Sequence, residues 1–281
     1  MSSILKKQLI VLGSILVLMA FLLSLDIKGL IKPKGERKVN EEAVVPASAS
    51  FDAAIAEATK NLPANLRERF SGLEKEAKEG KSPELKAQAY LSLAQAWDSA
   101  GNELISGLYM IQAADHSGSV NARVIGAARL KEAGSLLKDS SLAAGVWDMA
   151  MDNYRQAYEA DNKNLDAKIG LAVCYVEKSE NPMQGISMLL EVAKEHPDNE
   201  AANMNLGLFS MRSGQFDKAV SRFTKVAEKS PGAEVYFYLG EAYRNLGDKD
   251  NAIKAYRKAK TFITDPNFRA GIDKYINELN K

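Results

Sequence analysis

Two consecutive stretches of this 281-residue chain align with each other, EAANMNLGLFSMRSGQFDKAVSRFTKVAEKSP at residues 200–231 and AEVYFYLGEAYRNLGDKDNAIKAYRKAKTFIT at residues 233–264. Matching residues lie 33 positions apart and are similar in size and polarity. The matched pairs are Leu206 with Leu239, Gly207 with Gly240, Gly214 with Gly247, Ala219 with Ala252, and Phe223 with Tyr256. This period indicates a helical repeat protein, in which each unit buries its apolar face only by stacking on the next unit.

The matched residues predict a pair of antiparallel helices in each stretch. In the second stretch, Gly240 and Ala252 are small enough to let two helices approach closely. Tyr256 is then expected to fill the space against the next pair. Gly247 permits the left-handed turn between the two helices. The equivalent residues of the first stretch are Gly207, Ala219, Phe223 and Gly214.

These residues resemble the tetratricopeptide repeat (TPR) superfamily. The second stretch carries the family pattern at Tyr236, Leu239, Gly240, Tyr243, Gly247, Ala252, Tyr256 and Ala259. It departs from the pattern at Thr264, where a proline is usual, and Pro266 follows two residues later. The resemblance implies an all-α fold, a TPR-type helical-hairpin solenoid.

Weaker copies of the unit precede these two stretches. Residues 165–199 fit the pattern if the turn between their helices holds one extra residue, through Leu171, Ala172, Tyr175, Gly185, Leu189, Val192 and Pro197. Two earlier pairs fit only partly, through Tyr90, Leu93, Ala94, Trp97 and Gly101, and through Ala150, Tyr154 and Ala157. The predicted order is N-terminal helices at 51–81, degenerate TPR-like pairs at 82–164, three TPR units at 165–266 and a C-terminal capping helix at 267–281.

Composition indicates a globular, helical chain, and the motif content bears on its chemistry. A net charge of +1 creates no overall field that would hold nucleic acid, so we expect no direct nucleic-acid binding. The single cysteine, Cys174, excludes an internal disulfide and is predicted to be a buried small hydrophobe. His116 and His196 are predicted at helix ends rather than in a catalytic pair. Because no HExxH, GxSxG or paired-cysteine motif occurs, we expect no catalysis, cofactor, metal or small-molecule substrate.

The N-terminal region predicts a membrane anchor. The run LIVLGSILVLMAFLLSL, from Leu9 to Leu25, contains no charged residue. As a helix it would be about 25 Å long, against about 30 Å of bilayer hydrocarbon. A cleaved signal peptide is the alternative, although no small-residue cleavage site follows the run directly. The predicted segments are a short tail at 1–7, a transmembrane helix at 8–27 and a flexible basic, Pro-Ala-Ser tether at 28–50.

The predicted location is the bacterial inner (cytoplasmic) membrane, with two orientations open. Lys6 and Lys7 precede the apolar run, whereas the basic residues that follow it are Lys28, Lys32, Lys34, Arg37 and Lys38. By the positive-inside rule this excess favours a cytoplasmic body. A short lysine-bearing tail before an apolar run is also typical of chains that are exported with the body outside.

In the TPR superfamily the first helix of each unit lines a concave groove that binds peptides or helices, which implies a protein partner here. The resemblance places on this groove Ile169, Val173, Val176, Met204, Asn205, Leu208, Met211, Arg212, Phe237, Tyr238, Glu241 and Arg244. An apolar groove with methionines and a polar rim suits an amphipathic helix or an extended apolar segment. Only Asn205 matches the residues that clamp a C-terminal carboxylate in some TPR proteins. The chain's own helices around 51–80 are an alternative occupant.

Together these features predict a membrane-anchored TPR scaffold or adaptor that acts by localisation and effective concentration. The stretches NPMQG (181–185) and NMNLGLFSMRSGQFDKA (203–219) resemble a group of bacterial single-pass TPR proteins, some encoded next to a ribonuclease of the E/G type. This resemblance implies one alternative function, an anchor for a cytoplasmic RNA-processing enzyme. The other alternative is a periplasmic structural protein of an envelope assembly.

Overall fold

A computed structural model of the chain describes residues 47–280, without the side chains of residues 47–51 and 65. This part of the chain forms thirteen α-helices and no strand, so the prediction of an all-helical fold is confirmed for it. The helices are α1 Ala47–Lys60, α2 Ala64–Glu79, α3 Pro83–Ser99, α4 Glu103–Ser117, α5 Val120–Leu136, α6 Ser140–Ala160, α7 Leu165–Lys178, α8 Pro182–Glu195, α9 Glu200–Arg212, α10 Phe216–Lys229, α11 Ala233–Asn245, α12 Lys249–Thr261 and α13 Pro266–Leu279.

The predicted tail, the predicted transmembrane helix and residues 28–46 of the predicted tether lie outside the described residues. Of the thirteen helices from 47 to 280, none has the length and apolar character that crossing a bilayer requires. α1 begins at Ala47, inside the segment predicted as a tether. Alanine has the highest helix propensity, and a proline directly before a helix does not disturb its first turn, so this earlier start is physically reasonable.

Asparagine side chains cap the first helices of two repeats. The side-chain oxygen of Asn164 accepts a hydrogen bond from the backbone N–H of Ala167 at 2.9 Å and so caps α7. Asn199 caps α9 in the same way through Ala202, at 2.8 Å. These caps satisfy backbone donors that the first helical turn leaves without a partner, and each fixes where a new repeat begins.

The glycines of the repeat pattern have the roles that the sequence predicts. Gly214 and Gly247 adopt φ angles of 72° and 78°, in the left-handed region that a turn between antiparallel helices needs. A Cβ atom on Gly240 would lie 2.6 Å from the ring of Tyr256. On Gly207 it would lie 2.4 Å from the ring of Phe223. The close helix approach expected at these positions is therefore confirmed.

The helices stack as consecutive pairs, with α13 packed against α12 at the C-terminal end. From α5 onward, the first helix of each pair also contacts the first helix of the next pair, so that α5, α7, α9 and α11 lie side by side. The buried core runs through the whole stack, from Phe70 in α2 to Ile276 in α13. This arrangement is that of a solenoid, in which each unit is stabilised mainly by its neighbours.

One departure from the repeat pattern has a structural role. Asn203 occupies a position at which TPR units usually carry a larger residue, and it is 1% exposed. Its amide donates hydrogen bonds to the carbonyls of Pro197 at 2.9 Å and Asn199 at 2.8 Å. Its carbonyl oxygen accepts from the guanidinium of Arg222 at 3.0 Å. Asn203 thus holds the turn between α8 and α9, and its buried polar atoms all have partners.

Candidate protein-binding groove

The twelve residues predicted to face a groove lie on three adjacent first helices, α7, α9 and α11. These residues differ in how deeply they are buried and in what they contact. Ile169 and Val173 are 6% and 8% exposed and pack with Leu189, Leu206 and Phe209. These two side chains therefore act mainly in the contact between the first helices, and Val176 beside them is half-buried.

On α9, the predicted groove residues also contribute to helix packing. Met204, Leu208 and Met211 are half-buried and lie against the hydrophobic cluster that contains Leu239 and Ala242 of α11. The remaining two predicted residues of α9 are more polar. Asn205 is half-buried, and its amide nitrogen donates to the carbonyl of Ala201 at 2.8 Å, whereas Arg212 is exposed.

On α11, the predicted residues are covered by the chain itself. The ring of Phe237 lies 5.7 Å from that of Tyr275 on α13, and the guanidinium of Arg244 lies 5.5 Å from the same ring. The carboxylate of Glu241 accepts hydrogen bonds from the hydroxyl of Tyr256 and from Arg244. Tyr238, the fourth predicted residue here, stacks on Phe223 with ring centroids 5.6 Å apart. These contacts leave little of this face available to a partner.

Burial affects the titration of this covered network. Burial, with a further contribution from the hydrogen bond to Glu241, raises the pKa of the Tyr256 hydroxyl well above its ordinary value. Tyr256 therefore remains a neutral hydrogen-bond donor to the Glu241 carboxylate across the physiological pH range. The network is a structural element of the C-terminal units.

A cleft of about 660 Å³ opens where α5 and α6 meet α7 and α9. We call it the Trp147 cleft, and the residues that define it are Lys131, Leu137, Trp147, Val173, Glu177 and Asn205. Two of the predicted groove residues, Val173 and Asn205, therefore contribute to an open concave site. Its volume falls within the roughly 300–1,000 Å³ of ordinary ligand-binding pockets.

The sequence analysis missed the other half of this cleft. Trp147 and the lysines around it belong to α5, α6 and the end of α7, in or next to the degenerate part of the chain. The sequence signals that point to it are Trp147 and the preceding stretch LLKDSS (136–141), which contains two leucines and one lysine. Because this region lacks the regular repeat pattern, the sequence does not predict which side of each helix these side chains occupy or how deeply they are buried.

A second, larger cleft of about 1280 Å³ is lined by residues of the six helices α1 to α6. Several of its polar groups already have partners within the chain. The hydroxyl of Tyr109 donates to Glu74 at 2.9 Å, and Arg123 binds Asp115 at 2.6 Å and Asn153 at 2.9 Å. No residue of α7, α9 or α11 lines this cleft, and the polar groups just named already bind one another within the chain.

The described residues show no arrangement for catalysis or metal binding. No group of three or more histidine, cysteine, aspartate or glutamate side chains within residues 52–280 could hold a metal ion. Cys174 is fully buried, as predicted, and burial raises the pKa of its thiol to about 12. The imidazole of His116 stacks on the ring of Tyr90, with centroids 5.5 Å apart.

Comparisons with known proteins agree with this architecture. Residues 210–267 match the sequence model of the tetratricopeptide repeat family. The crystal structure of a thermophilic TPR protein from Thermus thermophilus is similar with a TM-score of 0.53 and 19% sequence identity, and the match covers 67% of this chain and 97% of that chain. At this identity the similarity concerns the fold alone.

Two curated proteins are similar over part of the sequence. A TPR repeat-containing protein of Methanocaldococcus jannaschii is 26% identical over 131 residues, which are 46% of this chain and 23% of that protein. Tetratricopeptide repeat protein 8 of Caenorhabditis elegans is 26% identical over 128 residues, which are 44% of this chain and 25% of that protein. The matched part therefore spans about a quarter of each of these relatives.

The fold of residues 47–280 and the family match over residues 210–267 agree with a TPR-type helical repeat architecture. The expectation that the chain is not an enzyme stays a prediction.

Proposed function

We propose that this protein is a membrane-anchored scaffold that binds a segment of a partner protein in the concave groove, at the Trp147 cleft. The observation that carries the proposal is the open cleft itself, which lies along the side-by-side first helices and includes Val173 and Asn205. The covered face of α11 makes a second binding region there less favourable, because a partner would have to displace Tyr275.

Photocrosslinking tests the binding site directly. A benzoylphenylalanine residue in place of Asn205, in the full-length chain in cells, should give a discrete covalent adduct with a partner protein. The matched control is Glu228, an exposed residue on α10, which should give no such adduct. Equal adducts at both positions, or none at Asn205, would contradict binding at this cleft.

The membrane part of the proposal rests on the apolar run from Leu9 to Leu25. We propose that this run anchors the chain in the bacterial inner membrane, with the body on the cytoplasmic side that the following basic residues favour. A single cysteine can report the orientation. Cys174 is the only native cysteine and is replaced by alanine, and Asn40→Cys places a thiol in the predicted tether.

A membrane-impermeant maleimide should label this cysteine only after the inner membrane is lysed. Labelling in cells whose outer membrane alone has been opened would place the body outside the cytoplasm. That result would favour the periplasmic structural protein and exclude the anchor for a cytoplasmic RNA-processing enzyme. Recovery of the chain in the soluble fraction would contradict the anchor in either orientation.

A further inference from the structure

The Trp147 cleft combines an apolar floor with a basic rim. Trp147 is buried, with 6% of the residue exposed, and its ring lies against α5 at Gly134, where a Cβ atom would be 2.9 Å from the ring. Val173 lies on the far side of the cleft, and Leu137 is half-buried at its edge. Because the ring packs directly on Gly134, its position at the bottom of the cleft is fixed.

One more exposed apolar residue directly precedes Leu137 of the cleft in the sequence. Leu136, the last residue of α5, is 78% exposed. An apolar side chain this exposed beside a concave surface adds to the area that a partner could remove from water. A partner segment that reaches beyond Leu137 would therefore also cover Leu136.

The charges around the floor are predominantly positive. Glu132 pairs with Lys131 at 2.7 Å, and Glu177 pairs with Arg212. No carboxylate of the described residues pairs with Lys138 or Lys178, which also line the cleft. The ammonium of Lys178 instead lies 4.9 Å from the centre of the Trp147 ring. Two cations next to the apolar floor thus lack an anionic partner.

On this basis we propose that the Trp147 cleft selects partner segments that combine acidic side chains with one large apolar side chain. The proposal rests on the function proposed above and specifies its ligand. The apolar side chain would cover Trp147, and carboxylates on either side of it would bind Lys138 and Lys178. The same two lysines would repel a basic segment, so the rim also provides specificity.

Trp147 provides its own readout. The chain has two tryptophans, and Trp97 can be replaced by phenylalanine because its indole N–H is buried without a hydrogen-bond partner. In full-length Trp97→Phe protein in detergent micelles, all tryptophan emission then comes from the cleft. The probe is the synthetic peptide EELFEE, with KKLFKK and EESGEE as peptides that lack the acidic and the apolar component, respectively.

EELFEE should change the Trp147 emission saturably, whereas KKLFKK and EESGEE should not reach saturation over the same concentrations. The double variant Lys138→Glu/Lys178→Glu should weaken EELFEE binding about tenfold or more, since two attractive contacts become repulsive. The matched control is Lys163→Glu/Lys225→Glu, which reverses two exposed lysines outside the cleft and should leave the affinity unchanged. Higher salt should weaken binding to the parent protein more than binding to the double variant.

Three results would overturn the inference. The first is equal binding of EELFEE and KKLFKK. The second is unchanged affinity in the Lys138→Glu/Lys178→Glu variant. The third is saturable binding of EELFEE and EESGEE with equal affinity, because the apolar side chain would then contribute nothing to binding. If the Asn205 crosslink persists under any of these results, the scaffold function stands and only the ligand chemistry is wrong.

Discussion

The two ends of the predicted groove differ in what covers them. At α11, the capping helix α13 places Tyr275 against Phe237 and Arg244, and Glu241 is held by Tyr256. At the other end, where α5 and α6 meet α7, no helix from residues 47–280 closes the cleft in front of Trp147. The same repeat geometry thus stabilises the fold at one end and exposes a site at the other. Position in the stack, rather than position in the repeat, decides the role of a first-helix residue.

The largest effect should come from opening the covered end. Tyr275→Ala removes a half-buried ring that contacts Phe237, Tyr256 and Arg244. We expect a loss of about 3 kcal/mol in the free energy of unfolding. Urea denaturation of the full-length chain measures it, and an unchanged midpoint would show that α13 does not hold the covered face.

A somewhat smaller loss should follow from filling a close helix approach. Gly240→Ala places a methyl group 2.6 Å from the Tyr256 ring, so we expect destabilisation by about 2 kcal/mol. Gly271→Ala is the control, because nothing lies within 4 Å of its Cβ position in α13. The free energy of unfolding of Gly271→Ala should rise by up to about 1 kcal/mol, because alanine has a higher helix propensity than glycine. Thermal unfolding measures both variants, and the unfolding temperature should fall in Gly240→Ala and rise in Gly271→Ala.

Removing the Tyr256 hydroxyl from its contact with Glu241 should lower the free energy of unfolding by about 1 kcal/mol. Tyr256→Phe takes a hydrogen bond from the buried side of Glu241, and hydrogen bonds to charged groups are worth more than neutral ones. Tyr158→Phe is a matched control, since the hydroxyl of this half-buried tyrosine has no hydrogen-bond partner among the described residues. Equal losses in the two variants would contradict a specific role for the network.

The same hydroxyl predicts a pH dependence. The fold raises the pKa of Tyr256, so the folded state keeps its proton where the unfolded chain releases it, at about pH 10. The stability that this group contributes is complete below that pH and falls as the pH rises through and above it. Denaturation midpoints should decline more steeply above pH 10 in the parent chain than in Tyr256→Phe. A steeper decline in Tyr256→Phe than in the parent chain would contradict a raised pKa of Tyr256 in the folded state.

The smallest effect on stability is expected at the open end. Leu136→Gln changes a side chain that is 78% exposed, and the free energy of unfolding should stay within about 0.5 kcal/mol of the parent value. In the Leu136→Gln variant, the yield of the partner crosslink at position 205 should nevertheless fall, because a partner would bury less apolar area. A large loss of stability would mean that Leu136 belongs to the core.

The regular repeats could be read from the sequence because their geometry is local. The 33-residue spacing of glycine and aromatic residues predicts both the turns at Gly214 and Gly247 and the contact of Gly240 with Tyr256. The candidate site could not be read in the same way. It depends on how the degenerate pair α5 and α6 meets α7, and on the cover that α13 gives to α11. Both are tertiary contacts between elements without a shared sequence pattern.

Hydrogen exchange compares the two ends of the groove most directly. The full-length chain is measured alone and then together with the partner captured through residue 205. Partner binding should slow amide exchange in residues 131–147 and 173–178 around the Trp147 cleft, because local opening there would require release of the partner. Exchange in α11 should remain unchanged. Protection that appears in α11 while the Trp147 cleft exchanges at its original rate would contradict the assignment of the binding site.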